Sequence, residues 1–228
     1  MPKEALKLEP ENAQILALIV SLIDFRHTQG KAPFGPDDKQ RCAELAYLGL
    51  RHANGDPTVM AHCGLALLQT VKDYDLGMAV LQAAVEANPN SLLVAVRAGV
   101  GHLLCGSTDR ALSCFKRAIE LSPSGIEAHY PLTGIAHAHM AAGDYSQALA
   151  WAMRSLALNS SYDPTYWMLV ASHAHLGQMA EARRFLAMLQ ALTPGITISK
   201  IRLGQAGKDP SRLAAILEGL RIAGLPES

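Results

Sequence analysis

Nine histidines stand out in a chain with few other chemically active side chains. Two pairs, His137-Ala138-His139 and His173-Ala174-His175, have the composition of metal-chelating steps. Whether they can chelate depends on the element that carries them. Both lie in stretches rich in Ala, Leu and Met, residues of high helical propensity. On a helix, residues two apart point about 200° away from one another, and zinc ligands on one helix need i, i+4 spacing. The weaker alternative is a metal or haem site assembled across different elements by His137 and His175. Cys42, Cys63, Cys105 and Cys114 are scattered without C-x-x-C spacing. They read as reduced, small apolar residues, which points to a cytoplasmic protein. A Gly-rich phosphate loop, a Ser/His/Asp order and a reactive-cysteine context are all missing. The chain is expected to be no enzyme and to need no cofactor.

Composition narrows the possible partners. Half of the 228 residues are apolar, 5% aromatic and 18% charged, and the formal net charge is zero. A chain of this length removes roughly 70% of its unfolded surface from water. Neutral charge argues against a broad footprint for nucleic acid or an anionic membrane. Lys200, Arg202, Lys208, Arg212 and Arg221 cluster near the C-terminus, but Asp209, Glu218 and Glu227 dilute them into a solvated face. The longest apolar run, Ile15–Ile23, is interrupted by Ser21 and too short to span a bilayer. The N-terminus lacks a signal-peptide pattern.

The elements that would position these side chains recur with a period. The turns after successive amphipathic runs hold Pro10, Gly55, Pro89, Pro123, Ser160 and Pro194, at spacings of 45, 34, 34, 37 and 34. Twelve residues before each mark stands a small residue: Ala43, Gly77, Ala111, Ala148, Ala182. Eight before stand Tyr47, Leu81, Phe115, Ala152 and Leu186, mostly large. Seventeen before, three of the last four units carry Gly106, Gly143 and Gly177. Glycine there predicts a left-handed helix end.

Helix pairs are predicted at 11–27 with 38–53, 57–71 with 75–87, 91–105 with 108–121, 125–142 with 145–158, and 164–176 with 179–192. Asp56-Pro57, Asp163-Pro164 and Asp209-Pro210 read as N-caps followed by a first-turn proline. Ser124-x-x-Glu127 and Asp144-x-x-Gln147 read as capping boxes. The first unit carries about 11 extra residues near Thr28–Asp38, whose glycines and prolines predict an irregular loop. The fourth carries three extra near Tyr130–Gly134, where Pro131 should kink or extend the helix.

The run Ala111-x3-Phe115-x2-Ala118-x4-Pro123 resembles the second-helix signature of the tetratricopeptide family. The resemblance covers about residues 3–194. It weakens in the second unit, which has Gly77 and Leu81, and in the first helices, which lack the family's Trp and Leu-Gly. It implies an all-α solenoid of about five helix pairs, bounded at 11–55, 56–89, 90–123, 124–160 and 161–194. The small residue lets the second helix approach the first, and the large one fills the gap between neighbouring units. His102, His139 and His173 fall 21 residues before their marks, where the family places a tyrosine, so they read as packed aromatics.

Both ends carry further readings. Residues 1–10, with Lys3–Pro10 at their centre, look like the end of a second helix whose partner is absent. The chain therefore reads as the C-terminal piece of a longer protein, with a natural short start as the alternative. At 195–228, a short apolar helix over Ile196–Leu203 and a longer one over Asp209–Ala223 read as a cap on the last unit. Leu213, Ile216, Leu217 and Leu220 form its apolar stripe. The ending Leu217–Glu227 resembles the C-terminus of bacterial proteins in which a tetratricopeptide array follows a class III adenylate/guanylate cyclase domain or a winged-helix DNA-binding domain. So do Ala142-Gly143-Asp144-Tyr145, Ala148-x2-Trp151-Ala152 and Thr193–Arg202. That likeness implies a signalling context and no catalysis by these residues.

In the family, the first helices line a concave groove that takes a peptide or a helix. The stripe placed there is His62, Ala66 and Gln69; Val96, Val100 and Leu103; Glu127, Tyr130 and His137; Trp167, Ala171 and His175. None of these positions is a lysine or arginine, which argues against the carboxylate-holding mode of the chaperone-binding members. An apolar stripe with aromatic edges suits a protein or peptide partner, or a second copy in a homodimer. Trp167 and Tyr130 are the anchors by residue type. The alternative is that Val96, Val100, Leu103 and Trp167 simply pack between helices.

Overall fold

The computed structural model describes residues 8–125, 127–205 and 207–228. Lys3–Lys7, where the sequence predicts the end of a helix, lie outside the described residues. Five helix pairs follow one another: α1 (Ala13–Thr28) with α2 (Asp38–Arg51), α3 (Pro57–Ala66) with α4 (Tyr74–Ala87), α5 (Leu92–Leu104) with α6 (Thr108–Leu121), α7 (His129–Ala141) with α8 (Tyr145–Leu158), and α9 (Asp163–His175) with α10 (Met179–Leu192). Then come α11 (Ile198–Gly204), a 3-10 turn (Pro210–Leu213) and α12 (Ala214–Ala223). Among the described residues there is no strand. Each helix packs on its partner and on the next pair, which gives a solenoid with several linked apolar clusters.

The periodic residues are buried as their phase demands in the last four pairs, but in the first Tyr47 is exposed and Ala43 half-buried, and Cys42 and Ala46 take the buried positions one residue earlier. Ala111, Phe115 and Ala118 are fully buried. The Phe115 ring wedges between Gly99 of α5 and Gly134 of α7, where an added Cβ would come within 2.5 and 2.4 Å of ring atoms. Two glycines and one large ring therefore make a joint between the third and fourth pairs. Gly106, Gly143 and Gly177 end their helices at φ 78°, 78° and 74°, left-handed as expected. The second pair reaches the same corner differently. α3 widens into a π-helical turn at Leu67–Val71, and Lys72 takes the left-handed position at φ 72°. A side-chain-bearing residue there costs roughly 1–2 kcal/mol.

Capping partly departs from expectation. Asp56 accepts from the Thr58 and Val59 amides, Asp144 from the Gln147 amide and Asp209 from the Ser211 amide. Asp163 instead sits inside α9 and accepts a hydrogen bond from Thr193 Oγ1 at the end of α10, so it ties the two helices together. Ser124 and Glu127 form no cap. α7 begins only at His129, which puts Pro131 in its first turn, where the missing N–H is not needed. The insert after Thr28 is irregular, held by Arg26 Nε donating to Ala32 O at 2.7 Å and Phe34 N to Asp38 Oδ2 at 2.6 Å.

α12 lies against α9, with Gly219 so close to Ala171 that an added Cβ would meet its Cα at 2.6 Å. The segment between α11 and α12 does more than cover the last pair. It crosses the concave side and reaches the first three pairs. Gln205 Nε2 donates to Thr28 O at 3.1 Å, Lys208 Nζ lies 3.3 Å from Asp75 Oδ1, and Asp209 N donates to Leu104 O at 3.1 Å.

Candidate functional site: a polar-floored cavity on the concave face

A cavity of about 400 Å³ opens on the inside of the curve. Its walls come from α1, α3, α5, α7 and α9, the first helix of every pair, and from the α3 π-turn, the loops leading into helices, and Gln205 and Arg212 of the C-terminal segment. No second helix contributes. The helix hairpin explains this selection, because each second helix is held on the outer face behind its partner.

Nine of the predicted groove residues meet here: His62, Gln69, Val96, Val100, Leu103, Glu127, Tyr130, His137 and Trp167. His175 does not. Its ring stacks on Tyr145 at 4.1 Å, and its Nε2–H donates to Ala215 O at 2.7 Å, which fixes α12 to α9. His137 and His175 are thus engaged separately, and the cross-unit metal reading is corrected. Among the described residues no group of three or more His, Cys, Asp or Glu is placed to hold a metal ion. Of the three histidines read as packed aromatics, His173 stacks on Phe185 at 5.4 Å and bonds Gln178 through Nδ1 at 2.6 Å.

The mouth is apolar and open. Leu22 and Phe25 of α1 are 44% and 42% exposed, Tyr130 is 38% exposed, and Leu18 extends the α1 stripe. Trp167 differs from this rim: at 4% exposure it belongs to the packed floor. Leu103 is buried as well, whereas Val96 and Val100 are half-buried in the wall.

The floor is polar, and the charged part of it escaped the sequence reading. Thr70 Oγ1–H, held in the π-turn, donates to Asp24 Oδ1 at 2.7 Å. Burial pushes the Asp24 carboxyl up to about 6, against the Thr70 hydrogen bond and the charges of Arg97 and Lys72. Arg97 of α5 reaches Ser21 Oγ only at 3.4 Å. Burial lowers its pKa from the usual guanidinium range, and Asp24 opposes that. Arg212 donates from Nη2 to Gln205 O and points Nη1 at His137 Nε2, 3.4 Å away. Burial depresses Arg212 to about 10, so it stays charged at neutral pH. The two histidines are neutral there: burial, with Arg212, takes His137 down to about 3, and burial, with Arg97, takes His62 to about 4.

Two guanidinium groups thus face a groove whose predicted stripe held no cation. Arg97 lies one residue round from Val96, outside an i, i+4 stripe. The available signal was its isolation, since it is the only arginine or lysine in Leu92–Leu104, and Asp24 is likewise the one acid in Ala13–Thr28. Arg212 gave no signal, because only the returning segment brings it in.

No protein-family model and no curated protein sequence matches the chain. The architecture is shared widely among solved structures. The type IV pilus biogenesis factor PilW superposes with a TM-score of 0.62 at 17% identity, covering 91% of this chain and 88% of that one. PilF of Pseudomonas aeruginosa gives 0.62 at 14% identity, with coverage of 92% and 88%. A thermophilic TPR protein of Thermus thermophilus, TTC0263, gives 0.60 at 16% identity, with coverage of 81% and 91%. These likenesses and the helix order establish an all-α fold of the tetratricopeptide type, five helix pairs wound around one concave cavity.

Proposed function

We propose that the chain is a non-catalytic module that binds a protein partner along the concave face. One observation carries this reading: the first helices of all five pairs, and no second helix, converge on one cavity with an exposed apolar rim at Leu22, Phe25 and Tyr130, with exposed Leu18 one turn before Leu22 on α1. Exposed apolar residues contiguous with a cavity mark docking surfaces more often than scattered ones do. A partner peptide or helix would lay its apolar side chains along this rim and over the mouth of the cavity.

Two contexts fit this role. One is the regulatory or dimerising C-terminal region of a larger signalling protein, of the cyclase-linked or winged-helix-linked kind that the C-terminal sequence resembles. The other is a free-standing adaptor. Four free thiols, two of them buried, favour a reducing cytoplasmic setting. Among the described residues no helix is long and apolar enough to cross a membrane.

A photo-crosslinking residue at Leu22, compared with one at Met153 on the outer helix α8, tests the reading in the native host. Adducts are expected from position 22 and not from 153, and Phe25→Asp should abolish them. Equal labelling from both positions would refute the rim as the docking surface. An adduct with a second copy of the chain, matched by self-association in sedimentation, selects the homodimer.

A further inference from the structure

The cavity beneath the rim has its own recognition chemistry. Five buried side-chain polar atoms lack a hydrogen-bond partner among the described residues, and four belong to residues that line it: Arg97 Nε, Trp167 Nε1, Arg212 Nε and His62 Nδ1. Trp167 and Arg212 are only 4% and 5% exposed. Unpaired buried polar groups are rare in native proteins, so four around one space are informative. The first three can only donate, and two of those sit on guanidinium groups. Neither carboxyl of the lining is hydrogen-bonded to the two guanidinium groups among the described residues. Asp24 takes the Thr70 hydroxyl, and Glu127 is exposed at the mouth. The ion pairs among the described residues lie on the surface, at Arg117, His139, Arg184, Arg202, Lys208 and Arg221; neither Arg97 nor Arg212 joins one. Beside these groups the wall carries an apolar stretch of Phe25, Leu65, Val96, Val100 and Leu103, with polar side chains such as Ser21, Gln69 and Thr133 between the helices.

We infer that this cavity binds a small amphipathic carboxylate, its head accepting hydrogen bonds from Arg97 and its apolar body lying along Val96, Val100 and Leu103. Charge-assisted bonds from a desolvated guanidinium to a carboxylate are roughly twice as strong as neutral ones. A cation would meet two guanidinium groups, Arg97 and Arg212, against the single buried carboxyl of Asp24. A neutral apolar guest would leave the donors unpaired, at a cost comparable to a lost hydrogen bond each. The volume lies in the range of small-ligand sites, roughly 300–1,000 Å³. This site stands apart from the rim docking of a protein, because it needs no partner to be filled.

Trp167 supplies the readout. The chain has two tryptophans, and Trp151→Phe leaves Trp167 on the cavity floor as the sole tryptophan, excited selectively at about 295 nm, where tyrosine hardly absorbs. Titration of that variant of the 228-residue chain with octanoate should change the emission saturably, at least about tenfold more tightly than octan-1-ol and with no response to octylamine. Arg97→Met should erase the preference for octanoate over the alcohol, and Val100→Phe, which narrows the wall, should weaken octanoate while the helical circular dichroism stays intact. Equal affinity for acid and alcohol, or no saturable response to octanoate, overturns the inference without any variant. So does a preference that survives Arg97→Met. An acidic pentapeptide with a free C-terminus that outcompetes octanoate would assign the site to a partner's tail and also overturn it.

Discussion

The Phe115 joint and the Arg97–Trp167 floor engage different residues of α5, Gly99 and Arg97, and obey opposite rules. At the joint the packing is tight and apolar: a fully buried ring, two glycines that make room for it, and Leu103, Ile135 and Ala138 in the same cluster. On the floor a carboxyl, two guanidinium groups and two neutral histidines are held away from water with several hydrogen-bond positions open. Dry packing is what a stack of helix pairs needs to stay together. Under-satisfied polar groups reduce stability and are kept where a site is wanted. The same first helices serve both, and Gly134 of α7 borders the Phe115 ring and the cavity alike.

The largest effect should come from breaking the joint. Phe115→Ala leaves a void flanked by two glycines that cannot fill it, and should cost about 3–5 kcal/mol in urea unfolding. A loss near 1 kcal/mol would mean that the joint collapses freely and that the contrast is overstated.

Acid should strike the floor instead. His62 and His137 have folded pKa values of about 4 and about 3, below the ordinary 6.5. The unfolded chain therefore binds protons that the fold refuses, and stability falls as pH drops below about 6.5. Asp24 has the opposite sign. Its carboxyl, raised from 3.8 to about 6, favours the folded state once protonated, so it adds stability as pH falls through 6. The two histidines outweigh the one acid, and the fold should lose about 2–3 kcal/mol between pH 7 and pH 5. Substituting Phe115 leaves that slope unchanged if the two regions are independent. A flat profile would show that the histidines are hydrated.

The smallest of the three effects sharpens the comparison. Asp24→Asn keeps an acceptor for Thr70 while removing a desolvated charge, and should raise stability at pH 8 by about 1–2 kcal/mol. Destabilisation would instead mark Asp24 as a counter-charge that Arg97 requires.

Much of the solenoid was legible because its rules are short-ranged. Ala111, Phe115, Ala118 and the left-handed glycines at 106, 143 and 177 each act within a pair or on the next one, so the period exposes them. The wall residues on the i, i+4 stripe were legible for the same reason. Asp163 and the Ser124–Glu127 pair show where local signals fail: a capping side chain can be drawn to a tertiary partner, and a proline can shift a helix start.

The helix pairs, the joints between neighbours and the inward-facing helices all follow from local residue patterns, because each depends on contacts within about one period. The tertiary structure decided how far the stack curves, and therefore that Gln205 meets Thr28 across 177 residues, that Arg212 enters the cavity beside His137, and that His175 is held by α12 rather than by the groove. Curvature is the sum of small rotations at every joint. No single stretch of sequence records that sum, and the site's charge balance depends on it.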